Sequence, residues 1–326
     1  MRAAPAALAT AVLLALSHVA NAAEPTERLD EVPVTAERPG PELWKVSQGN
    51  HVVWIFGALQ PLPKHMTWRS KQIEEVLAEA QEVVPYTYRF DGINPFTGLR
   101  LYFQWRRVRV NPHGATLRQV LPAPLYSRFA ALEARYAPDD AGLERLQPML
   151  ASAELRERAV SAVGLSTSGD VQDLVLRLAR KRHVTIRRLD LDIREPRALL
   201  AEVGNMPVEA QIHCFEPMIT LLESDLETLK ARADAWAVGD VEALRALPVP
   251  DAEKGCLEAT SDSPRLRGLA AQAHDLWVQA VKIALVQNRS TLAVQEIGRL
   301  LGPDGWLAEF RRAGFEVDGP EFGAPH

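Results

Sequence analysis

Dense, short apolar runs bounded by turn formers occur near both ends of the chain, while the middle carries apolar residues three and four apart. Leu43-Trp44-Lys45-Val46, the turn formers Gln48-Gly49-Asn50 and the run Val52-Val53-Trp54-Ile55-Phe56 ending at Gly57 predict a β-hairpin whose second strand is buried. After a proline-bounded loop, Thr67 is placed to cap a helix in which Ile73, Val76, Leu77 and Ala80 share one face. Glu82-Val83-Val84-Pro85 then reads as a strand. Strand, helix and strand in such close succession make a crossover unit, which points to a parallel or mixed sheet covered by helices.

Helices are predicted over Leu99 to Val108, Leu125 to Tyr136, Leu150 to Val163 and Val171 to Arg180, with Pro and Gly punctuating the intervals. Val184-Thr185-Ile186 with Leu189 suggests a strand returning to the sheet. One long helix is expected from Glu209 to Ala235 and another from Leu266 to Gln287. The chain closes with strand Leu292-Ala293-Val294, a loop at Gly302-Pro303-Asp304-Gly305, helix Trp306 to Ala313 and strand Phe315-Glu316-Val317. The fold class that follows is α/β, a mixed central sheet built from both chain ends with a mainly helical middle insertion.

The first 22 residues have a different pattern. Arg2 is the only charge before an apolar run from Ala6 through Leu16, and Ala20-Asn21-Ala22 offers small residues to a peptidase. Cleavage is expected between Ala22 and Ala23. The run is shorter than the ~20 residues a membrane-spanning helix needs, so export to a periplasm without a transmembrane anchor is the expectation. Residues 23–41 are polar, acidic and Pro-rich, the composition of a disordered linker. Within it, Asp30 to Ala36 resembles a TonB box, although Pro33 interrupts the match and a solvated linker is the favoured reading. A single domain over residues 42–320 and a tail at 321–326 complete the expected organisation.

Composition adds limits. The chain of 326 residues carries a formal charge of -5, which becomes -6 once Arg2 is removed with the leader, so it has no basic footprint for nucleic acid. Only two cysteines occur, Cys214 and Cys256, outside any Cys-x-x-Cys motif. In an oxidising compartment such a pair is expected to form a structural bridge, stabilising by roughly 3 to 4 kcal/mol through loop closure.

From Leu43 to about Val317 the chain resembles the TraB/GumN family, which is related to the Tiki proteases and more distantly to the ChaN and erythromycin-esterase-like folds. The resemblance rests on Leu43-Trp44-Lys45-Val46, Gly49-Asn50, Trp54-Ile55-Phe56-Gly57-Ala58-Leu59-Gln60, Val83-Val84-Pro85-Tyr86, Trp236-Ala237-Val238-Gly239-Asp240 and Glu296-Ile297-Gly298-Arg299-Leu300-Leu301-Gly302. Gly305-Trp306-Leu307 and Ala313-Gly314-Phe315 close the frame. The resemblance implies two Gly-x-x-His motifs and a Glu that bind a divalent ion and poise a water. In this chain the first His is replaced by Gln60, the Glu by Tyr86 and the second His by Arg299, and Glu296 stands for the second motif's glycine. Gln is a poor zinc ligand, Tyr binds only after losing a proton, and Arg repels a cation. No cofactor or metal is therefore expected.

The remaining candidates are weaker. His51, His65, His113, His183, His213 and His274 are isolated, without a second His at ligand spacing. Glu296 and Asp304 could serve acid/base work, but no second carboxylate pairs with them in sequence. Glu74, Glu75 and Glu79 read as a solvated helix face. The short basic runs Arg106-Arg107 with Arg109 and Arg180-Lys181-Arg182 fall at predicted helix ends. Neither a phosphate loop nor a Gly-x-Ser-x-Gly elbow occurs, and Asn288-Arg289-Ser290 matches a glycosylation sequon only as a common pattern. Two functions remain: a catalytically degenerate binding or scaffold protein using Gln60 and Arg299 on an unknown peptide, protein or small-molecule ligand, or a hydrolase or peptidase, metal-dependent or otherwise re-wired.

Overall fold

Gly49 and Asn50 form a two-residue turn joining strand β1 (Leu43–Gln48) to β2 (His51–Ala58), with Gln48 facing His51 across the hairpin. Gly49 has φ +58, the left-handed conformation such tight turns require. A computed structural model describes residues 41, 43–64, 66, 70–91, 94–167, 171–193, 195–224, 226–247, 256, 263–302 and 304–320. The leader, the TonB-box-like stretch, His65, Thr67 and residues 321–326 lie outside the described residues.

The remaining strands are β3 (Leu62–Pro63), β4 (Glu82–Val84), β5 (Arg89–Asp91), β6 (Leu165–Ser166), β7 (Thr185–Ile186), β8 (Asp190–Asp192), β9 (Ser290–Glu296) and β10 (Glu316–Asp318). Six of them form one mixed sheet in the order β10-β1-β2-β9-β4-β7. β10, β1 and β2 are antiparallel neighbours, whereas β2, β9, β4 and β7 run parallel. The predicted α/β class holds, with strands from both chain ends around a helical middle. Leu292, Ala293 and Val294 of β9 are all fully buried, as expected for a central parallel strand covered on both faces.

The helices are α1 (Lys71–Glu79), α2 (Pro95–Val108), α3 (Leu117–Val120), α4 (Ala123–Tyr136), α5 (Pro148–Ala162), α6 (Val171–Lys181), α7 (Pro196–Gly204), α8 (Val208–Ser224), α9 (Leu226–Val238), α10 (Val241–Ala246), α11 (Pro264–Gln287), α12 (Ile297–Leu300) and α13 (Trp306–Arg312). Over the span expected as one helix, Glu209 to Ala235, the structure describes α8 and α9 on either side of residue 225, which lies outside the described residues. α7 has no counterpart among the predicted helices, although Pro196 at its first turn is a start signal.

Two apolar cores follow from this order. One surrounds the sheet and includes Trp44, Phe56, Trp236, Trp277 and Phe310. The other lies within the helical middle, where Phe129, Leu155, Phe215 and Ile219 pack between α4, α5 and α8. A buried amide network ties that middle together: Gln147 Nε2 donates to the carbonyls of Val108 and Gly204, at 2.6 and 3.0 Å, and Gln211 Nε2 donates to Gln147 Oε1 at 2.6 Å. One side chain thereby satisfies terminal carbonyls of both α2 and α7. Cys214 and Cys256 stand with their Cα atoms 4.2 Å apart and their sulfurs within bonding distance.

Glu133 on α4 is half-buried, and burial first, then the charges of Glu144 and Asp140, push its carboxyl up to about 7. Because the folded-state value is raised, the native state holds this proton more tightly than the unfolded chain does. The contribution to stability is present below the ordinary value near 4.5 and is lost as pH rises through about 7. Glu133→Gln keeps the uncharged form, so denaturant midpoints should show it more stable than wild type at about pH 8, by on the order of 1 kcal/mol after solvent screening. The difference should vanish in acid.

Candidate functional site

Three neighbouring parallel strands end on the same edge of the sheet, and one of the residues singled out by the sequence follows each. Ala58, the last residue of β2, lies opposite Glu296 at the end of β9, while Val84 at the end of β4 lies opposite Ala293. Gln60 follows β2, Tyr86 follows β4, and Arg299 lies in α12 directly after β9. In open α/β sheets this carboxyl edge is where ligands bind, since the strand-to-helix loops there bring distant residues together.

The side chains form two groups. Gln60 Nε2 donates to the Tyr86 hydroxyl at 3.5 Å. The Tyr86 backbone N–H is held by Oε1 of Gln172, which is buried on α6, at 2.8 Å, and Gln172 Nε2 reaches Thr87 Oγ1 at 3.3 Å. Gln172 therefore sets the position of the loop that presents Tyr86. In the second group, Arg299 Nε donates to Glu296 Oε2 at 2.6 Å, and the guanidinium carbon stands 5.7 Å from the centre of the Trp306 ring. Both members of the ion pair are half-exposed. No hydrogen bond joins Arg299 to Gln60 or Tyr86, and its two terminal nitrogens have no protein acceptor among the described residues.

Tyr88 lies near the second group. Its hydroxyl donates to the carbonyl of Ala273 on α11 at 2.8 Å. Burial pushes the phenol up to about 12, with Arg299 opposing the shift and Glu296 adding to it. Beyond Trp306, the His274 ring stands nearly perpendicular to the indole, with 4.9 Å between centres. Its Nε2 lies 2.8 Å from Glu309 and its Nδ1 3.1 Å from Asp275. His274, isolated in sequence, is thus flanked by two carboxylates. That arrangement, with the supporting roles of Gln172 and Tyr88, escaped sequence reasoning because every partner except Asp275 is remote in the chain.

The floor of the site is tightly packed. Trp236 Nε1 donates to the Gly57 carbonyl at 2.6 Å, and a Cβ on Gly57 would stand 2.9 Å from Trp44 Cζ3 and 3.0 Å from Ile297 Cγ1. Only glycine fits between β1 and the start of α12. A groove of about 430 Å³ lies elsewhere, bordered by Asp192, Glu195, Leu199, Arg265 and Gln272, and contains none of Gln60, Tyr86 or Arg299.

The implied divalent ion does not fit this donor set. The edge offers an amide, a phenol and a guanidinium where the resemblance implies two imidazoles and a carboxylate, and Glu296 is paired with Arg299. Among the described residues no group of three or more His, Cys, Asp or Glu is placed to share an ion. The arrangement offers hydrogen-bond donors and a fixed positive charge instead.

The sequence model of the TraB/PrgY/gumN family matches residues 42–319, nearly all of the described chain. The chain belongs to the TraB/PrgY/gumN family. No curated protein and no solved structure matches it at a significant level. Within this TraB/PrgY/gumN domain, Gly57→Ala should lower stability by about 1 to 3 kcal/mol through overpacking against Trp44 and Ile297, read from urea midpoints. Spectrophotometric titration should show one phenol ionising near 12, absent from Tyr88→Phe. Since the folded-state value is raised from about 10, the stability this phenol contributes is intact below that pH and is lost as pH climbs towards 12.

Proposed function

We propose that this TraB/PrgY/gumN protein is exported and acts by binding rather than catalysis, taking a carboxylate or polar backbone group of a peptide-like ligand at its strand-end site. The observation that carries the reading is the placement of an amide, a phenol and a guanidinium at the carboxyl edge of β2, β4 and β9. Gln60, Tyr86 and Arg299 stand where the family resemblance implies ligands, and the terminal guanidinium nitrogens of Arg299 have no protein acceptor among the described residues. A guanidinium presents paired donors that match a carboxylate, and an amide and a phenol can complete its coordination. Export is supported by the leader at residues 1–22 and by Cys214 and Cys256 standing at bonding distance. No helix among the described residues is long and apolar enough to cross a membrane.

A second reading, a re-wired hydrolase, has one observation in its favour: the His274 imidazole lies between Glu309 and Asp275, an arrangement that can orient a general base.

The two readings separate on the purified chain starting at Ala23. Titration calorimetry against short peptides with a free or an amidated C-terminus should show binding that depends on the carboxylate. Gln60→Ala combined with Arg299→Ala should weaken it by roughly 10- to 100-fold. Stoichiometric zinc or manganese together with chelator-sensitive peptidase activity, or metal-independent peptidase activity abolished by His274→Gln, would overturn the binding reading.

A further inference from the structure

α2 exposes an apolar face. Phe96 is 81% exposed, Leu99 57% and Phe103 54%, and no residue of the helix is buried. At 3.6 residues per turn these three side chains form one stripe, and Tyr102, also 54% exposed, flanks it. The opposite side is held to the protein: Gln104 Nε2 donates to the Arg197 carbonyl at 2.8 Å, and Gln147 holds the Val108 carbonyl at 2.6 Å. The stripe therefore belongs to a helix fixed in place from behind.

The charges that α2 itself carries beside the stripe have a single sign. Arg100, Arg106 and Arg107 are exposed on the same side, and among the described residues none makes an ion pair or side-chain hydrogen bond. Arg109, at the end of the same helix, is by contrast paired with Glu154. Between Asp91 and Glu133 the chain has six arginines and no acidic residue, although its overall charge is -5. Local acids that could neutralise the face are thus missing from the sequence itself.

We infer that α2 is a peripheral docking surface for an anionic lipid bilayer, lying flat with Phe96, Leu99 and Phe103 in the acyl boundary and Arg100, Arg106 and Arg107 on lipid phosphates. A helix with aromatic and leucine side chains on one face and uncompensated arginines beside them has the composition that binds membrane interfaces. A second copy of the chain is a poorer occupant, because two such faces brought together would oppose arginine to arginine. The inference is independent of the strand-end site.

Flotation with vesicles tests it on the chain starting at Ala23, because the apolar leader would itself enter lipid. Residues from Glu37 onward form their own compact unit, so the truncation leaves that unit intact. The protein should float with vesicles of phosphatidylcholine mixed with phosphatidylglycerol, remain behind with phosphatidylcholine alone, and be released by added salt. Replacing Arg100, Arg106 and Arg107 by Gln should weaken partitioning roughly a hundredfold. Phe96→Ser with Leu99→Ser and Phe103→Ser should abolish it. Both variants should keep the wild-type urea midpoint, since none of the six side chains is buried. Failure of the wild type to float with the anionic vesicles sinks the inference, and so does unchanged partitioning of either variant. A dimer that the serine variant dissociates, without vesicle binding, would assign the face to a second copy instead.

Discussion

Seven residues of β2 pair in parallel with seven of β9, from Val52 opposite Ser290 to Ala58 opposite Glu296. More than two hundred residues lie between them in sequence, so the pairing must offset a large loss of chain entropy before any site exists. The strands' apolar residues supply what is needed: Val53, Ile55, Phe56, Leu292, Ala293 and Val294 are all fully buried. Trp277 and Trp236 then lock this seam, donating their indole N–H groups to the carbonyls of Val294 and Gly57 at 3.0 and 2.6 Å. These bonds satisfy backbone acceptors near the strand ends with side chains that also fill the core. Every residue of the strand-end site inherits its position from this register.

A second lock sits on the other edge. Glu82 at the start of β4 is buried and accepts both nitrogens of a bidentate Arg187 fork at 2.8 Å, together with the Asn288 amide at 2.9 Å. A buried carboxylate is tolerable only when paired and hydrogen-bonded in this way. The bonds connect the β4, β7 and β9 segments where the chain enters the sheet. Asn288, which in sequence fits a glycosylation pattern, has its amide engaged inside the protein, so the structural role is sufficient to explain it.

The elements with a strong local signal were legible in the sequence. The β1–β2 hairpin carries its own turn chemistry at Gly49-Asn50, and β9 is an uninterrupted apolar run. α7 was not legible because its apolar face is only partly buried, so its period is weak, and its last carbonyl is satisfied by Gln147 from a remote helix. Gln60, Tyr86 and Arg299 were expected from the family resemblance alone, and their placement along one edge follows from the parallel order β2-β9-β4. Tyr88, Gln172 and His274 could not be anticipated, since their significance lies in contacts such as Tyr88 to Ala273 and His274 to Glu309 that no local spacing encodes.

On the proposed reading, Arg299 takes over part of what a divalent ion would supply and none of the rest. A metal at this edge would attract an anion and also lower the pKa of a bound water to generate a nucleophile. A guanidinium performs the first task and not the second, because it remains protonated and has no open coordination position. Glu296 and Trp306 make the exchange structurally stable: the carboxylate orients Nε at 2.6 Å, and the indole face lies 5.7 Å from the cation. Both partners lie within the same short segment as Arg299, so the charge is fixed by local contacts. The sheet's register then needs no alteration, and a site built to hold an ion becomes one that holds an anion while the fold beneath it is kept.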